Sequence, residues 1–508
     1  MMIGLDKLAR RRCGPSWLGA LLAAVTLASW QPGTSWAQET ETKSQEQRIQ
    51  ELEAQNQELE TRLSELEAKQ DKAEPKARVA PDEEEDKEAA EKAAESARGM
   101  TPEQREQWHE GIAAAQPANY NAAWHIGTPK KDIVDKGWWG LKGTPSELRL
   151  SGWIQFALFH DFQGNALATE QAFSSAAVIV PTLKQPSTGV DVRSSRIFLE
   201  FRHVFDWKQK RKNFPGVAHV LFEMDLGGEL LVDGFGPRVR QLFLQIGHLT
   251  FGQADTTLSN GGTWPAYFDN GAPGAYPDVR RPVLRYAAAL SKRQSKHAHV
   301  LTAGIEFPRT EFTNATSAFN APDMVVRYDY SPKWGNLMAA VIVRYFVAES
   351  TVTEARATKW VAGGTLSGWA KIPTKNGDRL KWNFLIGPGV SGLMFDTSIA
   401  GGLDGTYVDA TNTLLTTNAW GIWAGWERPW ADKWNSLFML SYVDVLNVAG
   451  QAPETFSGSV TATVTLDYEP VNHLFIAVEY FYGRRVNFDA QFGQDHRLNL
   501  VFRYMMNR

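Results

Sequence analysis

From Pro145 onward the chain alternates apolar and polar residues in short runs separated by Gly, Pro, Asn and Asp, and this limits the folds open to it. In the run from Arg196 to His203, Ile197, Leu199 and Phe201 fall on one side of an extended strand. Arg196, Glu200 and Arg202 fall on the other, because successive side chains point to opposite faces. A soluble sandwich turns the greasy face inward, whereas a transmembrane barrel turns it to lipid and keeps the charges in a wet lumen. Similar runs start near Glu147, Arg193, Val217, Arg238, Leu249, Arg281, Ala298, Asp323, Asn336, Lys359, Arg379, Asn418, Trp434, Phe456, His473 and Asp495. About sixteen strands is an even number within the range of outer-membrane barrels.

Aromatic placement favours the barrel. Trp334, Tyr345, Trp369, Trp420, Trp426, Trp430, Trp434, Tyr468, Tyr480 and Tyr482 recur near the ends of these runs, where girdles at two membrane interfaces need them. Lys333-Trp334-Gly335 and Pro470-Val471-Asn472 suit tight turns, and long Gly-rich connections suit outer loops or a constriction folded into the pore.

The start of the chain addresses the compartment. Lys7, Arg10, Arg11 and Arg12 precede a short apolar run from Trp17 to Trp30, and Ser35-Trp36-Ala37 offers small residues for cleavage after Ala37. Residues 1–37 therefore read as a signal peptide. The one cysteine, Cys13, would leave with it, so disulfides, thiolate metal sites and nucleophilic cysteines are not expected. Next, Ile49, Leu52, Leu59, Leu63 and Leu66 keep a 3-4 spacing around Asn56, which predicts a short self-associating coiled coil within 38–70. Residues 71–146 read as an acidic linker with a helix starting at Thr101-Pro102, and 147–508 as the barrel domain. The formal net charge is -4, and 19 acidic against 10 basic residues between Gln38 and Met100 account for it. The near-neutral remainder gives no footprint for nucleic acid.

Enzyme signatures are weak. His109-Glu110 lacks the second histidine of a zinc motif because position 113 is Ala. Gly387-Pro388-Gly389-Val390-Ser391-Gly392 matches a nucleotide-loop spacing, but no helical pattern follows and a turn is the expectation. No catalytic residue, metal or cofactor is expected.

Lumen-facing charges are the functional candidates. The registers nominate Arg196, Arg202, Arg285, Arg327, Arg344, Arg503 and Lys381 against Glu200, Glu223, Asp225, Asp329 and Glu479. The packed loop from Thr257 to Arg280, rich in Pro, Gly and aromatics, adds Asp269 and returns through Arg281. Arg238 and Arg240 share a register with Leu242 and Leu244, so they sit at the membrane interface unless a bulge moves them into the lumen. Guanidinium groups hold carboxylates and phosphates in two-point contact, which suits an anion pathway.

Several stretches resemble the DcaP-like trimeric porins of Gram-negative bacteria: Leu150-Ser151-Gly152-Trp153-Ile154-Gln155, Val192-Arg193-Ser194-Ser195-Arg196-Ile197, Phe222-Glu223-Met224-Asp225, and Leu249-Thr250-Phe251-Gly252-Gln253 with the loop to Arg285-Tyr286. The resemblance implies a homotrimer of sixteen-stranded barrels in outer-membrane lipid, with the coiled coil in the periplasm, passing small anionic solutes such as dicarboxylates. One departure is the ending, since Tyr504 is followed by Met-Met-Asn-Arg where porins usually finish on an aromatic residue. The alternative function is a plugged structural barrel that tethers the outer membrane to periplasmic partners through the coiled coil.

Overall fold

The computed structural model describes residues 138–506 apart from 142–143, 145, 168–171, 205–216, 229–235, 292–296, 375 and 432. The signal peptide, coiled coil and linker helix therefore lie outside the described residues. Sixteen strands form a closed antiparallel barrel: β1 (Ser146–Asp161), β2 (Arg196–Val204), β3 (Val217–Asp225), β4 (Arg238–Ile246), β5 (Leu249–Asp255), β6 (Arg280–Ala289), β7 (His297–Glu306), β8 (Asp323–Pro332), β9 (Gly335–Ser350), β10 (Arg356–Lys371), β11 (Arg379–Pro388), β12 (Asn418–Ala431), β13 (Trp434–Leu446), β14 (Phe456–Val471), β15 (Leu474–Asn487) and β16 (Phe492–Met506). Each strand pairs with the next, so no edge is left in the wall.

The ring closes on β1. Its first half, Ser146 to Trp153, pairs with β2, and its second half, Gly152 to Asp161, pairs with β16. The two ladders overlap at Gly152 and Trp153. Gly152 has φ +142°, and a Cβ there would stand 2.1 Å from the Arg196 carbonyl oxygen. Only glycine fits that junction.

Two-residue links at 247–248, 333–334 and 472–473 join strands at one end, where β1 also starts and β16 also ends. Longer loops, 162–195, 256–279 and 389–417, lie at the other end. No described helix is long and apolar enough to cross a membrane.

Burial follows the alternation. On β8, Met324, Val326 and Tyr328 are exposed on the outside while Asp323, Val325, Arg327 and Asp329 are buried within. On β16, Leu498, Phe502 and Tyr504 face out while Arg497, Asn499 and Arg503 face in. Outward Trp334, Trp430 and Trp434 mark the short-turn end, and outward Trp360 and Tyr442 stand toward the other. An exposed greasy band with charged buried rows is the inverse of a soluble protein.

Two local expectations need adjusting. A five-residue helix, Phe395–Ile399, does follow the Gly387–Gly392 stretch, with Gly389 turning at φ +65°. It is short and opens on Met394 without a side-chain cap, so the turn reading of the glycines stands and the absence of a helix does not. The alternation near Arg238 is broken by a bulge, since Glu223 opposes Gln241 but Met224 opposes Val239. Arg240 is the extra residue, and the bulge turns it into the lumen beside Phe243 and Gln245.

Candidate functional site

The segment 256–279 leaves β5 at Asp255, crosses the lumen and re-enters the wall at Arg280. Its backbone would be stranded in the pore without partners, and wall side chains supply them. Glu306 accepts from Thr257 N at 2.6 Å, and Arg327 Nη1 donates to Ser259 O at 2.6 Å. Asn260 Nδ2 donates to Asn336 Oδ1 and Ser367 Oγ at 2.8 and 3.0 Å. Lys381 Nζ holds Trp264 O at 2.6 Å, Glu479 accepts from Phe268 N at 2.7 Å, and Ser441 Oγ accepts from Ala275 N at 3.1 Å. The loop is thereby fastened to seven strands of the far wall, β7 to β11, β13 and β15.

Apolar packing seals the same side. Leu258, Tyr267, Ala275 and Tyr276 from the loop join Ile342, Leu385, Met394, Trp423 and Leu437 in one buried cluster. Each fully buried side chain of this size contributes on the order of 1.5–3 kcal/mol. The fit is close: a Cβ at Gly421 would stand 2.7 Å from Ala275 Cβ and 2.9 Å from Met394 Sδ.

Two further loops enter the lumen and meet this one at a carboxylate. Asp396 accepts from Ser174 Oγ at 2.7 Å and from Ser459 Oγ at 2.6 Å, and its own N–H donates to Gly274 O at 3.1 Å. Burial pushes its carboxyl above the ordinary aspartate range against the pull of those hydrogen bonds. Asp269, in the crossing loop, is likewise raised by burial while Phe173 N, Gly271 N and Asn499 Nδ2 donate to it.

The open part of the lumen lies on the opposite side, between the loop and the wall that runs from β16 through β1 to β6. It is a cavity of about 170 Å³ lined by Arg196, Arg240, Arg280, Arg285 and Arg503, by Glu223, Asp255, Asp269 and Asp278, and by aromatic faces including Trp153, Trp264, Tyr267 and Tyr276. Three of the five arginines are neutralised. Glu223 pairs with Arg196 and Arg240, both at 3.0 Å, and Asp225 takes Arg240 at 2.7 Å. Arg280 lies 3.2 Å from Asp255 and 2.9 Å from Asp278. Arg285 makes one long contact, 3.4 Å to the carbonyl of Asp255. Arg503 donates to Gln155 Oε1 and, at 3.1 Å, to Phe268 O. Among the described residues neither forms an ion pair. Both side chains line the cavity.

Of the candidates read from the sequence, Arg196, Glu223, Arg240, Asp269, Arg285 and Arg503 line this cavity. The others are distributed around the wall. Glu200 receives Arg149 and His219, and Arg202 pairs with Glu147 beneath the ring of Trp138. Arg281 is held by Asp323 at 2.7 Å, and Arg344 by Asp323 at 3.1 Å and by the carbonyls of Gly389 and Arg309. Arg327 grips Asp329 and the loop, and Lys381 pairs with Glu427 at 2.7 Å while holding Trp264 O. Arg280, Asp278 and Asp255 were not singled out as pore candidates because alternation says nothing of residues at strand–loop junctions.

Comparison with known proteins agrees with the architecture. The outer membrane channel DcaP of Acinetobacter baumannii has a TM-score of 0.61 at 15% identity over 71% of this chain and 97% of that chain. The anion-selective porin from Comamonas acidovorans has a TM-score of 0.47 at 9% identity over 71% and 100%, and OmpT of Vibrio cholerae 0.43 at 13% over 72% and 99%. Curated protein sequences give no match. The profile of the DcaP outer membrane protein family matches residues 217–506, more than half of the chain, covering every strand from β3 to β16. This porin-like outer-membrane barrel belongs to the DcaP outer membrane protein family.

Proposed function

We propose that the barrel is a passive channel for small hydrophilic solutes that prefers anions, dicarboxylate-like ones among them, and that it works as a homotrimer with its N-terminal coiled coil in the periplasm. The observation that carries the anion preference is the pair of guanidinium groups, Arg285 and Arg503, that line the cavity, contact uncharged oxygens and form no ion pair among the described residues. Fixed charge at a narrow point sets the sign of the ion that enters, because field lines concentrate between low-dielectric walls. The leucine seam near Leu52 to Leu66 supports the oligomer, since it cannot stay buried on a lone helix.

Reversal potentials of the full-length protein in planar bilayers under a potassium chloride gradient test the proposal, with chloride expected to outrun potassium. A clear potassium preference would overturn it.

One observation favours a second reading, a plugged tether: three loops pack into the lumen and fasten to one another at Asp396. That reading expects no conductance above background, together with loss of a cell-envelope interaction when Thr40 to Lys69 is deleted.

A further inference from the structure

Two carboxyl groups meet where the crossing loop touches β15 and β16, and among the described residues neither forms an ion pair. Asn499 Nδ2, on β16, donates to Asp269 Oδ2 at 3.2 Å and to Glu479 Oε2 at 3.4 Å. The other oxygen of each carboxyl is also occupied: Asp269 Oδ1 accepts from Phe173 N and Gly271 N, and Glu479 Oε1 from Phe268 N and, at 3.3 Å, from Thr465 Oγ1. Glu479 and Asn499 are fully buried, and Asn499 Oδ1 has no hydrogen-bond partner among the described residues. The charged groups that face the pair are committed elsewhere. Arg497 is held by Asp161 at 2.6 Å, and Arg503 donates to Gln155 Oε1 and Phe268 O. Asp467, on β14, accepts from Asn435 at 2.9 Å, and the Tyr267 hydroxyl donates to Gly271 O at 2.7 Å.

We infer that Asp269 and Glu479 form a proton-binding site, and that loss of its proton lowers the anion preference of the channel. This rests on the anion-channel reading and adds the regulation of that site. Two buried carboxyls within reach of one amide nitrogen, with no cation paired to either, do not both ionise in the ordinary carboxylate range, so the pair keeps one proton after the other has left. The orphaned oxygen of Asn499 points the same way. Its amide gives a donor to each carboxyl and finds none for its own acceptor, and a protonated carboxyl supplies an O–H to that buried spot. As pH rises the carboxyl O–H bond breaks, the proton passes to water in the cavity that Asp269 lines, and the pair goes from one negative charge to two. The added charge stands on the lining of the same cavity as the arginines that favour anions.

The test is the reversal potential of the full-length protein in planar bilayers under a potassium chloride gradient, measured from about pH 5 to about pH 9. Wild-type channels are expected to lose chloride preference as pH rises, the chloride-to-potassium permeability ratio falling about two- to threefold for one added charge. Because the two groups share one proton, removing either partner abolishes the whole step. Glu479→Gln and Asp269→Asn each leave a single carboxylate, ionised throughout this range, and each holds the ratio at the wild-type acid level. Other titrating groups of the wall respond alike in all three proteins, so the difference between the curves decides. Should one variant fail to assemble, as judged by loss of the folded band on a gel run without heating, the other decides alone. A flat wild-type curve overturns the inference, and so does a step of wild-type size that survives in an assembled variant. Potassium preference at every pH, or a silent barrel, overturns the channel reading beneath it.

Discussion

The two sides of one lumen are built on opposite principles. Between β7 and β15 the crossing loop is pressed onto the wall by an apolar cluster and by side chains that satisfy its backbone one group at a time. From β16 through β1 to β6 the same loop is held only at points such as Phe268 and Asn270, and the gap is lined by charge. The difference lies in what each wall offers. Ile342, Leu385, Trp423 and Leu437 can bury loop surface, whereas Arg196, Arg240 and Arg285 would lose solvation if covered. The solid side fixes where the pore is, and the charged side determines what it holds.

Breaking the solid side should have the largest effect. Replacing residues 258–277 by a short Gly-Ser link removes the partition, and single-channel conductance should rise several-fold with loss of ion preference. Next in size is the charged side. Arg285→Gln with Arg503→Gln leaves three arginines facing four carboxylates in the cavity, so the reversal potential should change sign. Glu223→Gln sharpens the contrast in the other direction, releasing Arg196 and Arg240 from their shared partner and strengthening anion preference by a smaller amount. Asn260→Ala removes two loop anchors worth about 1 kcal/mol each, and should appear as added noise in the open current without a change of sign.

The smallest predicted effect concerns pH. Asp404, in the loop strand Leu403–Val408, is pushed up to about 6 by burial, with Arg344 and the Gly392 N–H pulling the other way. A carboxyl raised in the folded state favours folding while it keeps its proton, and that contribution is lost as pH rises from the unfolded value near 4 through about 6. Thermal midpoints in detergent should therefore fall slightly from pH 4 to pH 7 through this group. Asp404→Asn should flatten that part of the profile.

Strand identity was legible because the lipid and the lumen demand opposite side chains at every second position. All sixteen predicted starts fall within three residues of an observed strand start, including Lys359 to Gly425, where the pattern is faintest. The bulge at Arg240 was not legible, since it exists only in relation to β3. Nor was the division of arginines into those paired with carboxylates and those held by uncharged oxygens: Arg281 finds Asp323 42 residues away, and Arg503 finds Phe268 O 235 residues away. Alternation assigns a face, while neutralisation depends on cross-lumen distances that no local pattern encodes. Inward folding of 172–178 and 389–402 was equally hidden, because buried loop residues such as Ser174, Ser175 and Asp396 look like ordinary surface loop in sequence.

The way β1 divides its pairing between β2 and β16 bears on how the molecule comes into being. Every other junction in the ring joins neighbours in sequence, so a growing sheet can lengthen hairpin by hairpin. The seam from Gly152 with Met506 to Asp161 with Arg497 joins residues more than 330 positions apart. Until the final strand arrives, half of β1 stays an unmated edge along the seam that β16 fills. Ring closure therefore also completes the hold on the constriction, and a chain cut short of β16 would lack the seam as well as the Asn499 and Arg503 contacts that hold the loop at Asp269 and Phe268.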